Sequence, residues 1–208
     1  MKKVTLVLVV LFLVGILAGC GQTGEKWEAL TEEELSYFNG TEFFNHYENR
    51  SNQFLSSLYD SPEQIDLYEL LYCDTGDVEE KTDKEIFTAY AVLVGTEYTE
   101  DVDIPCACDK MTTESIDQFL QKYTGLTLAE TERIGLNKDY IYLEEYDAYY
   151  HFHGDTNFWT QVMFERGERQ GELIRLYYED TFRNEGNKVV TLRQVENGYQ
   201  FVSNQMAE

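Results

Sequence analysis

The spacing of hydrophobic residues changes near residue 140, and this change constrains the fold more than any other feature of the chain. Up to about residue 125, apolar residues recur at helical spacing, as at Ile86, Ala89 and Leu93. From Tyr140 onward they alternate with polar residues, which is the period of a half-buried strand. Helices followed by a run of strands predict an α+β fold. We expect N-terminal helices packed on one face of a curved antiparallel sheet formed by the C-terminal half.

Start signals divide the first half of the chain into five predicted helices. The segments Thr31–Glu34 and Thr82–Glu85 each match a capping box, in which two side chains bond each other's backbone N–H groups. The Ser61-Pro62 dipeptide is a third start, because proline suits the first helical turn. The predicted helices cover about residues 31–38, 42–58, 62–72, 83–94 and 113–124.

Alternating segments after residue 140 predict six strands. The Asn197-Gly198 dipeptide is a strong hairpin signal, and a two-residue turn there would pair Glu196 with Tyr199. Residues 73–82 read as a loop, and residues 96–111 as extended or irregular chain. The predicted strands cover residues 141–143, 148–153, 159–166, 173–178, 188–194 and 199–203.

The N-terminus has the three parts of an export signal. Two lysines precede an uncharged apolar run from Val4 to Leu17, and small residues lead to Cys20. The run is shorter than the ~20 residues that a membrane-spanning helix needs. The order Leu17-Ala18-Gly19-Cys20 resembles the lipobox of bacterial lipoproteins. This resemblance implies that Cys20 is acylated, becomes the mature N-terminus and anchors the protein to the outer face of the cell membrane.

This resemblance and the change of hydrophobic period together set the expected domain organisation. Residues 1–19 would be the lipoprotein signal peptide, and residues 20–29 the lipidated N-terminus with a short tether. Residues 30–208 would form a single α+β domain, helical over 30–125 and mainly strands over 140–204. The mature part is similar in style to small lipoproteins of Gram-positive bacteria without an assigned activity. That similarity carries no functional residue beyond Cys20.

The composition excludes some partners. The chain has 16 basic and 39 acidic residues, a formal net charge of −23, which repels nucleic acid and anionic lipid headgroups. At 43% hydrophobic and 14% aromatic residues it can still build a core, so the acidity does not indicate disorder. We expect a monomer without a nucleic-acid partner and without a cofactor.

Two pairs of metal-ligating residues stand at strand spacing. His151 and His153 share one face of a predicted strand, and Cys106 and Cys108 do the same if their segment is extended. Two imidazoles and two thiols would make a tetrahedral zinc set. The alternative is a strand whose outward face carries two histidines beside unrelated cysteines.

The cysteines allow a second interpretation. With Cys20 acylated, Cys73, Cys106 and Cys108 remain, in a compartment that permits disulfides. A bridge from Cys73 to Cys106 or Cys108 would join the loop after the third predicted helix to the segment before the last one. Two further possibilities are three reduced thiols, or redox or metal chemistry at the Cys106-x-Cys108 pair.

Aromatic residues suggest a binding surface. Tyr149, His151 and His153 alternate on one side of a predicted strand, and Trp159 follows shortly after. Aromatic side chains with polar tips suit partly exposed binding surfaces, including surfaces that bind sugars. These four residues are the predicted binding surface.

Three classes of function remain at this point. The sequence has no Gly-x-Ser-x-Gly, no Gly-x-x-x-x-Gly-Lys and no His-Glu-x-x-His motif, so we predict no catalytic residue and no enzyme. The favoured hypothesis is a membrane-anchored, non-enzymatic binding module that contacts a cell-wall glycan or a cell-surface protein. The alternatives are a metal-handling lipoprotein that uses the two His and two Cys, and a cell-wall enzyme.

Overall fold

The computed structural model describes residues 26–45, 50–76, 79–99, 103–154, 161–181 and 183–207. Within them, helices and two antiparallel sheets form an α+β fold, as predicted. The expected signal peptide, the acylation site Cys20 and Trp159 lie outside the described residues. None of the helices in the described part of the chain has the length and apolar character needed to cross a bilayer.

The larger sheet has five strands and lies mostly in the C-terminal half. Its strand order is β1-β5-β6-β7-β8, and each neighbouring pair is antiparallel. The strands are β1 (Glu28–Ala29), β5 (Phe164–Gln170), β6 (Leu173–Asp180), β7 (Gly186–Val195) and β8 (Gly198–Met206).

The β7–β8 turn differs from the prediction by its register. Val195 pairs with Gly198, so the two-residue loop is Glu196-Asn197 rather than Asn197-Gly198. This register places Leu192 directly opposite Phe201, and both are buried. The predicted and observed registers differ by two residues, so both bury the same face, and the difference lies in the position of the turn and in which residues stand opposite each other.

The larger sheet begins within the last residues of the predicted tether. Residues 28–29 pair with β5, and the Leu30 N–H donates to the Gly167 carbonyl over 2.9 Å. A Cβ atom at Gly167 would lie 2.6 Å from Leu30 Cδ1, so glycine lets the two segments approach without displacing the Leu30 side chain. The N-terminal segment therefore already belongs to the sheet at residue 28.

The smaller sheet was not predicted as a separate unit. It has three strands in the order β2-β4-β3: β2 (Ala107–Thr112), β3 (Tyr140–Leu143) and β4 (Ala148–His153). The segment expected to be extended or irregular supplies β2, which pairs along its whole length with the central strand β4.

Three of the five predicted helices form with the expected ends. Both capping boxes are present, at Thr31–Glu34 for α1 (Glu32–Phe38) and at Thr82–Glu85 for α3 (Asp83–Val94). In α4 (Thr113–Thr124), Thr112 caps the start and Gly125 ends the helix in the left-handed conformation. Two further helices are short, α2 (Leu67–Leu70) and α5 (Leu136–Asp139).

The long helix predicted over residues 42–58 is wrong. Residues 41–45 form turns, and Arg50–Leu55 is a 3-10 helix. The Asn39 and Asn45 side chains bind the backbone at Phe164 and Val162, which holds this segment against the large sheet. The helix predicted over 62–72 is also broken. A 3-10 turn at Pro62–Gln64 is followed by α2, which the Asp66 carboxylate caps.

The main core lies between the larger sheet, α4 and the segment around the 3-10 helix Arg50–Leu55. Helix α4 packs on both β8 and β2, so it connects the two sheets. A second, smaller apolar cluster fills the space between the small sheet and α3.

Candidate binding site

Both faces of β4 are covered. Tyr149 belongs to the main core, whereas Tyr150 belongs to the cluster under α3. The period of two separates the side chains of β4 into these two environments. An alternating strand pattern therefore identifies residues that share a face, but here neither face is open.

His151 is a core residue. Its side chain is 2% exposed, and its ring centroid lies 5.1 Å from that of Tyr72 and 4.7 Å from that of Tyr140. Burial lowers the pKa of its imidazole to about 4, with a smaller contribution in the same direction from the charge of His153. His151 is therefore neutral at physiological pH, and its Nδ1 is buried without a partner among the described residues.

His153 is held at the end of the same face. Its Nε2 lies 2.7 Å from Asp109 Oδ2, and its Nδ1 lies 3.0 Å from the carbonyl oxygen of Gly154. Each ring nitrogen therefore already has an oxygen partner within the protein.

The predicted four-ligand metal set is not assembled. Cys108 pairs with Phe152 in the β2–β4 register and belongs to the cluster under α3, on the face opposite His151 and His153. Cys106 precedes β2 in a bend. Among the described residues, no group of three or more His, Cys, Asp and Glu side chains is placed to hold a metal ion.

The predicted disulfide is not formed in the structure. Cys73, Cys106 and Cys108 are all present as thiols. Burial raises the pKa of the Cys108 thiol to about 12, so this group stays protonated and is a poor nucleophile or ligand at neutral pH.

The predicted binding surface is not exposed. Tyr149 and His151 are buried, and Tyr68 and Tyr72 pack against the His151 ring from the chain around α2. Trp159 lies outside the described residues, so its place in this surface stays a prediction.

The structure instead shows a cleft of about 330 Å³ between the 3-10 helix Arg50–Leu55, the chain around α2 and the end of β6. Aromatic and aliphatic side chains alternate with polar ones along its walls. Its lining residues are Asn52, Gln53, Leu55, Ser56, Tyr68, Glu69, Tyr72, Cys73, Gln161, Val162, Tyr178, Glu179, Asp180, Thr181 and Arg183. We call this feature the α2–β6 cleft.

The polar groups of the α2–β6 cleft are largely fixed. Arg183 Nη2 lies 2.6 Å from Glu69 Oε2, which joins the two sides of the cleft. Tyr178 Oη donates to Asn204 Oδ1 over 2.9 Å. Gln53 is 7% exposed, and its Oε1 has no hydrogen-bond partner within the described chain. This wall therefore contains a buried acceptor whose loss of hydration is not compensated.

A second depression lies at the other end of the main core. It has a volume of about 440 Å³, is more open than the α2–β6 cleft and is lined by more polar surface. Tyr37 and Tyr199 are in ring contact there, with centroids 6.2 Å apart, and the Lys122 ammonium lies over the Tyr123 ring.

Comparison with protein-family models, with curated proteins and with solved structures gives no match for this chain.

The α2–β6 cleft was not predicted from the sequence. Its lining comes from separate segments, and polar residues such as Gln53 and Glu69 stand in no recognisable spacing. The sequence did contain a signal for one buried residue beside the cleft, Lys188, which contacts Asp180. Lys188 stands at the same parity as Val190 and Leu192, which predicts that the lysine side chain points into the core.

Proposed function

We propose that this chain is a membrane-anchored extracytoplasmic lipoprotein that acts as a non-enzymatic binding module, with the α2–β6 cleft as its ligand site. The resemblance of Leu17-Ala18-Gly19-Cys20 to a lipobox supports the location. The α2–β6 cleft supports the binding role, because ligand sites are concave, partly apolar and furnished with a few placed polar groups.

The size of the cleft favours a small ligand unit over a protein surface. A stable protein–protein interface buries about 800 Å² on each partner and is mostly flat. A cleft of about 330 Å³ is at the lower end of small-molecule sites. It suits a compact unit such as a sugar ring of a cell-wall glycan.

The lining indicates which glycan units fit. Tyr68 and Tyr72 offer aromatic surface on one side, and the Glu69–Arg183 pair offers acceptors and donors for hydroxyl groups. A ligand hydroxyl that reaches Gln53 would supply the hydrogen bond that its Oε1 lacks.

Charge selects among the candidate ligands. Among the described residues that line the cleft, three carry carboxylates, Glu69, Glu179 and Asp180, and one carries a guanidinium, Arg183. The whole chain adds a net charge of −23, so the cleft disfavours anionic polymers. We therefore propose uncharged cell-wall glycan as the ligand.

Titration calorimetry with wall-glycan fragments tests this proposal. Tyr72→Ala removes an aromatic wall of the cleft, and Tyr142→Ala removes an exposed tyrosine outside it. We expect Tyr72→Ala to weaken binding at least tenfold, which is about 1.4 kcal/mol. Tyr142→Ala should bind as the unmodified chain does. Equal affinity of the two variants, or no binding of the fragments by the unmodified chain, would contradict the proposal.

A further inference from the structure

A lysine occupies a core position at the β6–β7 hairpin. Lys188 is completely buried on the inward face of β7, in line with Val190 and Leu192, and it pairs across the ladder with Tyr178. Lysine is almost never fully buried unless it is paired, because burying its charge is costly. The groups around its Nζ atom must therefore compensate for this cost.

Two carboxylates contact this one amine. Lys188 Nζ lies 2.6 Å from Asp180 Oδ2 and 2.6 Å from Glu185 Oε2. Asp180 is itself buried, at the last position of β6, opposite Gly186 of β7. The Arg183 N–H donates to the other oxygen, Asp180 Oδ1, over 2.9 Å. We call Lys188, Asp180 and Glu185 the hairpin triad.

We propose that the hairpin triad is a site of self-modification, where Lys188 Nζ and Asp180 Cγ become joined by an intramolecular isopeptide bond with Glu185 as the proton carrier. The amine and the carboxyl are held in contact by the β6–β7 register, so the reaction is intramolecular. Such fixed proximity is equivalent to an effective concentration of about 10⁵ M or more, which compensates for the unfavourable equilibrium of amide formation in water.

The step balances without any other reactant. A first proton passes from the Lys188 ammonium to Asp180 Oδ2, and the neutral Nζ attacks Cγ of the resulting carboxylic acid to form the N–C bond. The Arg183 N–H stabilises the charge that develops on Oδ1. Glu185 takes a second proton from Nζ and delivers it to Oδ2, so the Cγ–Oδ2 bond breaks and Oδ2 leaves as water. Of the three ammonium protons, one stays on the amide nitrogen and two leave in the water.

The neutral reactants form by proton transfer within a resting ion pair. Burial raises the pKa of Asp180, but the hydrogen bonds from Lys188 and Arg183 outweigh burial, so the ion pair is the resting state. Transfer of a proton from Lys188 to Asp180 therefore precedes the attack, and the 2.6 Å contact between Nζ and Oδ2 lets it occur directly. Glu185 is partly exposed, with 46% of its side chain accessible, so it can exchange protons with solvent. Glu185 at the rim is thus placed to carry protons, and Lys188 and Asp180 in the core are placed to form the bond.

The chain offers an internal comparison. Lys110 also contacts a buried carboxylate, that of Glu85, but its second partner is the carbonyl oxygen of Glu80 rather than a second carboxylate. Without a second carboxylate to carry the proton, we expect this pair to remain an ordinary ion pair.

Mass spectrometry of the full chain, denatured after purification, tests the proposal. We expect a mass lower by one water molecule than that of the uncrosslinked sequence. Trypsin should then release the peptide 176–183 joined to the peptide 184–193, since Lys188 is no longer a cleavage site. A full mass with cleavage after Lys188 would overturn the proposal. So would a water loss that maps to Glu85 and Lys110.

Three variants assign the roles of the triad. Lys188→Arg and Glu185→Gln should both keep the uncrosslinked mass, the first without an amine nucleophile and the second without a proton carrier. Asp180→Asn should still join, but with loss of one ammonia in place of one water. A crosslink that persists in Lys188→Arg would overturn the assignment. The result does not depend on any ligand, so it is independent of the proposed binding function.

Discussion

Asn45 pairs with the backbone of Val162 as a strand residue would. Its Nδ2 donates to the Val162 carbonyl over 2.8 Å, and its Oδ1 accepts from the Val162 N–H, also over 2.8 Å. Asn39 does the same at Phe164, over 3.0 and 2.7 Å. Two side-chain amides thus satisfy the backbone at and just before the start of β5, and they fix the segment that carries Phe43 into the main core.

Replacing Asn45 should therefore destabilise the whole domain. Asn45→Leu leaves the Val162 N–H and carbonyl buried without partners, which we expect to cost about 2–4 kcal/mol of unfolding free energy. Urea denaturation measures the change. Asn137→Leu, at an exposed position of α5, is the matched control and should stay within about 0.5 kcal/mol of the unmodified chain. An equal cost for the two variants would show that the Asn45 contacts contribute nothing.

His151 should make stability depend on pH. Burial lowers the pKa of its imidazole to about 4 in the folded chain, whereas it is about 6.5 when unfolded. Between these values the unfolded state binds more protons, so stability falls as the pH decreases from about 6.5 to about 4. The size of this loss is on the order of 3 kcal/mol.

Urea denaturation from pH 4 to 7.5 tests that slope. We expect His151→Phe, which keeps a ring between Tyr72 and Tyr140, to flatten the profile over this range. His153→Gln leaves the buried imidazole in place and should retain most of the slope. An unchanged profile in His151→Phe would mean that another group is responsible.

Glu85 has two structural roles, so we expect its replacement to lower the unfolding free energy more than the loss of an ordinary helix cap does. Its carboxylate completes the capping box of α3 and accepts hydrogen bonds from Lys110 and from Tyr150 Oη. Burial alone raises the pKa of this carboxyl, but the hydrogen bonds from Lys110, Thr82 and Tyr150 outweigh burial and lower the pKa to about 2. Its contribution to stability is therefore present above about pH 4.5 and is lost as the pH falls towards 2.

Two equivalent substitutions separate the capping role of Glu85 from its pairing with Lys110. Glu85→Gln keeps the shape of the cap but leaves Lys110 without its buried counter-charge, and we expect a loss of about 3 kcal/mol at pH 7. Glu34→Gln changes the same capping-box position of α1, which is more exposed, and should cost about 1 kcal/mol or less. Similar losses in urea denaturation would show that the Lys110 pair adds no stability.

Cys20 should decide where the protein is found. If Cys20 is acylated, Cys20→Ala will move the protein from the membrane fraction to the soluble extracytoplasmic fraction, because each buried methylene of the acyl chains contributes about 0.8 kcal/mol to anchoring. Cell fractionation with immunoblotting measures this distribution. Cys73→Ala is the control and should remain in the membrane fraction. A Cys20→Ala protein that stays membrane-bound would contradict the lipobox assignment.

Locally encoded elements were predictable from the sequence. Helices α3 and α4 have caps, apolar periodicity and a terminal glycine that agree with one another, and both form as predicted. The segment 42–58 lacked that agreement. Its Phe43, Phe44 and Phe54 mimic a helical stripe but fill the main core from turns and a 3-10 helix, because tertiary contacts outweigh a weak local preference.

The site was harder to predict, for a geometric reason. Alternation along β4 correctly places Tyr149 and His151 on one face, but it does not show whether another element covers that face. The covering residues, Tyr68 and Tyr72, are distant in sequence. The α2–β6 cleft is likewise assembled from segments that only the tertiary structure brings together.

The most direct test of the proposed binding role is an NMR titration of the soluble chain, beginning at Gly21, with uncharged wall-glycan oligosaccharides. We predict amide shift changes confined to residues 52–56, 68–73, 161–162, 178–181 and 183, which line the α2–β6 cleft. Changes confined to the open depression around Tyr37 and Tyr199, or no changes at saturating oligosaccharide, would contradict the claim that this cleft is the binding site.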